Sequence, residues 1–229
     1  MGNSYFPSGN GSVTGGDKAW GAWATVFTPT IELCGFWMCL NSDNSGTPYG
    51  AFNLFIGSGT PGTPTISNGC FDGGASGMVF FPLHVPANTP IQIQTYNLNS
   101  TTDSVTAYIV GKPSNGKVGY STCQALGAST SSNFTAVTTT ATQFGTTLAN
   151  PVKAISILGG NGASYPLGGM FTLSIGSTGA TDVISNISTG GNDAYTSTPS
   201  FFEVDLPPSQ AIWLTSSATG FRAVMYLFY

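Results

Sequence analysis

The sequence repeats itself. Ala51-Phe52-Asn53-Leu54-Phe55-Ile56-Gly57-Ser58 returns as Met170-Phe171-Thr172-Leu173-Ser174-Ile175-Gly176-Ser177, and Ile66-Ser67-Asn68 returns as Ile184-Ser185-Asn186. Phe80-Phe81-Pro82-Leu83-His84-Val85-Pro86 is answered by Phe201-Phe202-Glu203-Val204-Asp205-Leu206-Pro207, with Ile91 matching Ile212 at the same spacing. Each copy ends in an apolar run, Val105 to Val110 and then Phe221 to Phe228. Chance similarity between Gly/Thr-rich segments does not keep features in register this way. Whatever unit the first copy builds, the second is expected to build again. Each copy has roughly the length of a small β-sandwich domain.

The repeated segments alternate with period two. Phe52, Leu54 and Ile56 fall on one strand face, as do Phe171, Leu173 and Ile175. Ile91 and Ile93 alternate with Gln92 and Gln94, and Ile155 and Ile157 with Ala154 and Ser156. Asn44-Ser45-Gly46, Asp72-Gly73-Gly74 and Gly159-Gly160-Asn161-Gly162 punctuate these runs as turns. Gly, Ser, Thr and Asn make up a little under half of the chain, and good helix formers are scarce. The expected fold is all-β: two tandem duplicated antiparallel β-sandwich domains of jelly-roll-like form. Residues 1–19 read as a Gly/Ser/Asn arm, 20–112 as the first repeat, 113–132 as a linker and 133–229 as the second repeat.

Only 6% of residues are charged, and five Lys+Arg face nine Asp+Glu. No phosphate-neutralising stripe can be built from that, so nucleic acid is not an expected partner. No apolar run is long enough to span a bilayer, so no membrane insertion is expected. The opening Met1-Gly2-Asn3-Ser4-Tyr5-Phe6-Pro7 lacks the basic and apolar regions of a secretory signal. Cys34 and Cys39 point to opposite faces of a regular strand, and with Cys70 and Cys123 they match no zinc spacing. Buried free thiols are the plainer expectation; a Cys34–Cys70 bridge is the alternative.

A search for chemistry finds little. Glu203 and Asp205 share a strand face and could in principle act as a carboxylate pair, but their counterparts are Pro82 and His84, which favours a solvated face. His84 is the only histidine and no nucleophile motif accompanies it. Asn41-Ser42-Asp43-Asn44-Ser45-Gly46 lacks the acids of a calcium loop and reads as a turn. Sequons at Asn10, Asn99, Asn133 and Asn186 are expected by chance in such a composition. No catalytic, metal or cofactor-binding residue is therefore expected, and no enzymatic activity. Trp20, Trp23, Phe36, Trp37 and Trp213 are the remaining candidates. Core or interface packing is their default, and stacking on sugar rings is the functional alternative.

An apolar strand followed by a proline-marked turn and an alternating strand occurs twice, in Phe81 to Ile91 and in Val204 to Trp213. This pattern resembles β-sandwich modules of tailed-bacteriophage virion surface proteins: head spikes, head fibres and decoration proteins. The resemblance implies a non-enzymatic structural protein displayed on the particle, made in the host cytoplasm. It further implies a homo-oligomer, with a trimer among the options, that contacts other virion proteins and reaches host-cell glycans. A carbohydrate-binding or adhesive module outside a virion is the competing expectation.

Overall fold

A computed structural model describes residues 6–42, 49–72, 78–97, 103–127, 135–161, 170–179, 181–188, 200–217 and 221–229. All regular structure among them is β-strand, as the composition and the period-two patterning require.

The first half forms one curled sheet of eight strands. One wing runs β6 (Val79–Phe81), β3 (Leu33–Ser42), β8 (Asp103–Pro113), β1 (Ser8–Asp17), with every neighbour antiparallel. The other wing runs β5 (Ile66–Asp72), β4 (Tyr49–Ile56), β7 (Ile91–Asn97), and β2 (Ala24–Phe27) lies beside β7. β1 joins the wings: Ser8 to Gly15 pair with β8, and Gly16 and Asp17 run parallel to Tyr96 and Asn97.

The second half has two sheets. One runs β10 (Thr135–Val137), β17 (Phe221–Phe228), β12 (Val152–Asn161), β15 (Ser200–Leu206), and β9 (Cys123–Leu126) also pairs with β17. The other runs β11 (Thr142–Thr146), β16 (Ala211–Ser216), β13 (Met170–Ile175), β14 (Thr181–Ser188).

Local irregularities recur at matched positions. Two residues of β5 bulge between the pairs Phe52–Gly69 and Leu54–Ile66, and two of β14 between Phe171–Ile187 and Leu173–Ile184. Asn68 and Asn186 take the left-handed conformation in these bulges, with φ of 52° and 60°. The turns after Pro86 and Pro207 place Asn88 and Ser209 at φ of 59° and 56°. Their amides donate to Pro29 O at 2.7 Å and to Leu148 O at 2.9 Å.

The described residues form two hydrophobic cores. The first gathers Phe36, Phe52, Leu54, Phe81, Ile91 and Ile109 from the curled sheet, but also Ala154, Leu158, Val224, Tyr226 and Phe228 from the second half. The second gathers Ile155, Ile157, Phe171, Leu173, Leu214, Ala223, Met225 and Leu227. β17 alternates strictly between them: Val224, Tyr226 and Phe228 enter the first core, Ala223, Met225 and Leu227 the second. A strand buried on both faces has no reason to carry polar residues, which explains its unbroken apolar sequence.

Two segments expected to lie outside the sandwiches are part of the sheets. The Gly/Ser/Asn segment 1–19 contains β1, whose pairing with β8 runs through eight consecutive residues. It lacks a hydrophobic signature because β2 lies directly over it. A Cβ on Gly9 would stand 2.5 Å from the Phe27 ring, and one on Gly11 2.9 Å from the Val26 backbone. The linker 113–132 turns at Asn115-Gly116, runs Tyr120 parallel to Leu83 and contributes β9. Gly119 permits that close approach, since a Cβ there would meet the backbone nitrogen of His84 at 2.5 Å.

Candidate functional site

The residues with most potential for recognition are aromatics on the outward faces. The outer face of the β6-β3-β8-β1 wing carries Trp37, in register with Phe80 on one side and Val110 on the other. The Phe80 ring lies 4.8 Å from Trp37, Phe6 closes on the opposite side at 6.2 Å, and Lys112 Nζ stands 5.2 Å above Phe80. Phe201 reaches this cluster from β15, 5.8 Å from Phe80. Tyr108, next along β8, is 42% exposed. The side chains point outward because their neighbours Phe36, Met38 and Ile109 hold the inner face.

A second aromatic set decorates the β4–β7 surface. Trp20 meets Tyr96 edge-on at 5.5 Å and Trp23 meets Phe55 at 6.4 Å. Amides accompany them, as a sugar-reading face would need, yet these are engaged by the protein's own backbone. Gln92 Nε2 donates to Gly57 O at 3.0 Å and Gly59 O at 3.2 Å, and Asn53 Oδ1 accepts from the Asn68 amide at 2.8 Å. Trp213 is held the same way, its Nε1 donating to Gly176 O at 2.7 Å. All four tryptophans are half-buried on outer surfaces, outside the two cores, which leaves interface packing and sugar stacking as the expectations for them; Phe36, by contrast, is fully buried. Sequence offered one hint: Trp37 sits out of phase with the apolar residues around it.

The candidate chemistry disperses. Glu203 and Asp205 share an exposed face of β15, and Lys153 Nζ lies 2.5 Å from Asp205 Oδ1. His84 Nδ1 stands 3.5 Å from Glu32 Oε1. No group of three His, Cys, Asp or Glu among the described residues could hold a metal ion. Cys34 and Cys123 are buried free thiols, so the Cys34–Cys70 bridge is not formed; the Cys70 side chain lies outside the described residues. Cys39 is half-buried on the outer face of β3, between the inward Met38 and Leu40. Asn10 and Asn186 are exposed, while Asn99, Asn133 and residues 43–48 of the turn after β3 lie outside the described residues.

Burial pushes the Cys123 thiol well above its ordinary range, and burial also raises Tyr229. Tyr120 is raised by burial first and by the Glu203 carboxylate second. Tyr120 links the two halves, bridging to Leu83 and stacking on Phe228 at 6.1 Å, while within the second half Tyr229 Oη donates to Gln124 Oε1 at 2.5 Å and accepts from the Leu148 amide at 3.0 Å. No protein-family model matches the chain, and no curated protein sequence matches it.

Proposed function

We propose that the chain is a non-enzymatic structural protein of a virus-particle surface, a decoration protein, head spike or fibre, built from two copies of one jelly-roll unit. The observation that carries this reading is the strand order. β6-β3-β8-β1 and β5-β4-β7-β2 in the first half correspond one for one to β15-β12-β17-β10 and β14-β13-β16-β11 in the second. This shared order, curled into one sheet in the first half and split over two in the second, supports a jelly-roll-like reading of each unit, an architecture found among capsid and lectin domains. The matched bulges at Asn68 and Asn186 and the matched turns at Asn88 and Ser209 support a common ancestor for the two units.

Fold alone does not give function. Two further observations point towards a structural role on a particle. The surface is nearly free of charge, which removes the electrostatic barrier to close association. Its outward aromatics lie on open sheet faces, a shape suited to protein contact. Quantitative mass spectrometry of purified particles from the source tests the reading. Near-stoichiometric abundance relative to the main shell protein means decoration, and a few copies per particle mean a spike or fibre. Absence from the particles overturns it.

A glycan-binding module is the second reading, favoured by Trp20, Trp23, Phe55 and Tyr96 standing together on one face. Quenching or shift of tryptophan emission by host-surface oligosaccharides, lost in Trp23→Ala, would establish it.

A further inference from the structure

We propose that the chain assembles head to tail with further copies of itself, repeating between molecules the contact that its two halves make within one. The inference rests on the two-unit reading above. In the internal contact, the outer face of the β15-β12-β17 sheet covers the β5/β6 edge of the first half. Tyr226 packs on Phe81 at 5.1 Å and on Phe52 at 6.4 Å, and Phe228 on Phe81 at 6.5 Å. Val224, Tyr226 and Phe228 have no exposed surface, and Leu158 has 2%.

Both partners in this contact have a more exposed counterpart elsewhere in the molecule. Tyr226 pairs with Ser156 as Val110 pairs with Trp37, so Val224, Tyr226 and Phe228 correspond to Tyr108, Val110 and Lys112. The giving face of the first unit is therefore the Trp37, Phe80, Tyr108 and Val110 surface; among the described residues Phe6 borders it at Trp37 and Phe201 at Phe80, while Tyr108 stays 42% exposed. On the receiving edge, Ile66, Phe81 and Leu83 are at most 1% exposed. Their counterparts Ile184, Phe202 and Val204 are only partly buried. Equivalent positions in the two units differ in exposure because the first unit's edge has a sheet over it and, among the described residues, the second unit's has none.

A second copy is the occupant that fits, since the chain already contains one instance of this interface. A giving face at one end and a receiving edge at the other make a heterologous contact, which closes into a ring or extends as a filament. Lys112 stands where Phe228 stands in the internal contact. The free face is thus less apolar than the internal one, and its association is expected to depend on concentration.

The test uses the full chain in analytical ultracentrifugation over a concentration series. Tyr108→Glu disables the giving face at an exposed position, and Ile184→Glu disables the receiving edge. Val204→Thr is a milder edge variant should Ile184→Glu melt early, and near-ultraviolet circular dichroism checks the fold of each. Wild type should gain mass with concentration, either continuously or towards one ring size. Each variant alone should stay monomeric. An equal mixture of the two should form a dimer and nothing larger, because one intact interface remains. A wild type that stays monomeric up to its solubility limit overturns the proposal. So does a mixture that fails to dimerise, or an Ile184→Glu chain that still self-associates while Tyr108→Glu does not, since that pattern is face-to-face pairing. Particle mass spectrometry is independent of this result: an assembling chain absent from particles sinks the virion reading alone, and a monomeric chain found on particles sinks only the assembly.

Discussion

The ring of Tyr226, on the last strand, meets the ring of Phe81, on the short strand β6, edge to face at 5.1 Å and 75°. Both side chains are at most 1% exposed. The pair lies where the outer face of one sheet closes the open side of another, so the first core includes residues from both halves. A chain built this way differs from two beads on a string, because neither half can unfold without stripping apolar surface from the other.

Tyr226→Ala should therefore weaken the whole chain rather than its C-terminal half. Truncating a fully buried aromatic costs about 3–5 kcal/mol. For a chain of this length that lowers Tm by roughly 6–20 °C. Differential scanning calorimetry should show one transition in both wild type and variant. Two separated peaks, with only one moved, would refute the shared core.

Leu54→Asp and Leu173→Asp place an unpaired carboxylate at sites with no exposure, one in each core. Each should cost about 4 kcal/mol or more. Because β17 contributes one face to each core, both variants should broaden or abolish the single melting transition. A variant that keeps the wild-type melting curve would mean that the strand register is wrong.

The register of these strands was legible because alternation and repetition agree: Phe52 and Leu54 are buried, and so are Phe171 and Leu173. β1 was not legible, since its stability lies in backbone pairing to β8 and its inner face is glycine packed beneath Phe27 and Val26. β9 was hidden by the Gly/Ser/Thr residues around it; only Cys123 and Leu126 are buried, on opposite faces, Cys123 in the first core and Leu126 in the second. The placement of the tryptophans outside the cores was open for a different reason. Hydrophobicity predicts burial, but not whether a sheet's inner or outer surface supplies it, and in a chain with so few charges an outer face can be aromatic.

The paired bulges make a sharp test of the repeat. Asn68 and Asn186 hold positive φ, which asparagine tolerates and β-branched residues do not. Asn68→Val and Asn186→Val should each cost about 1–2 kcal/mol, while the glycine variants stay near wild type. Ser209 holds the position that Asn88 holds in the first unit, with a residue less suited to it. Ser209→Asn should stabilise by roughly 0.5 kcal/mol. Urea unfolding midpoints measure all five variants. Opposite signs at Asn68 and Asn186 would argue against equivalent bulges.

Cys123 links the fold to alkaline pH. Its thiol is buried and pushed well above the ordinary value of 9.0. The folded chain thus keeps the proton after the unfolded chain has lost it. That contribution is fully present below pH 9.0 and is lost as pH rises towards the folded value, because the unfolded state gains by ionising first. Tyr120 and Tyr229, both raised from 10.0, act with the same sign at higher pH. Stability should therefore be flat near neutrality and fall above about pH 9. In Cys123→Ala the fall should start later and be shallower, on top of a pH-independent loss of about 1 kcal/mol from the smaller side chain. Urea midpoints between about pH 8 and pH 10 separate the two effects. Parallel curves for wild type and variant would show that the thiol does not govern the alkaline limb.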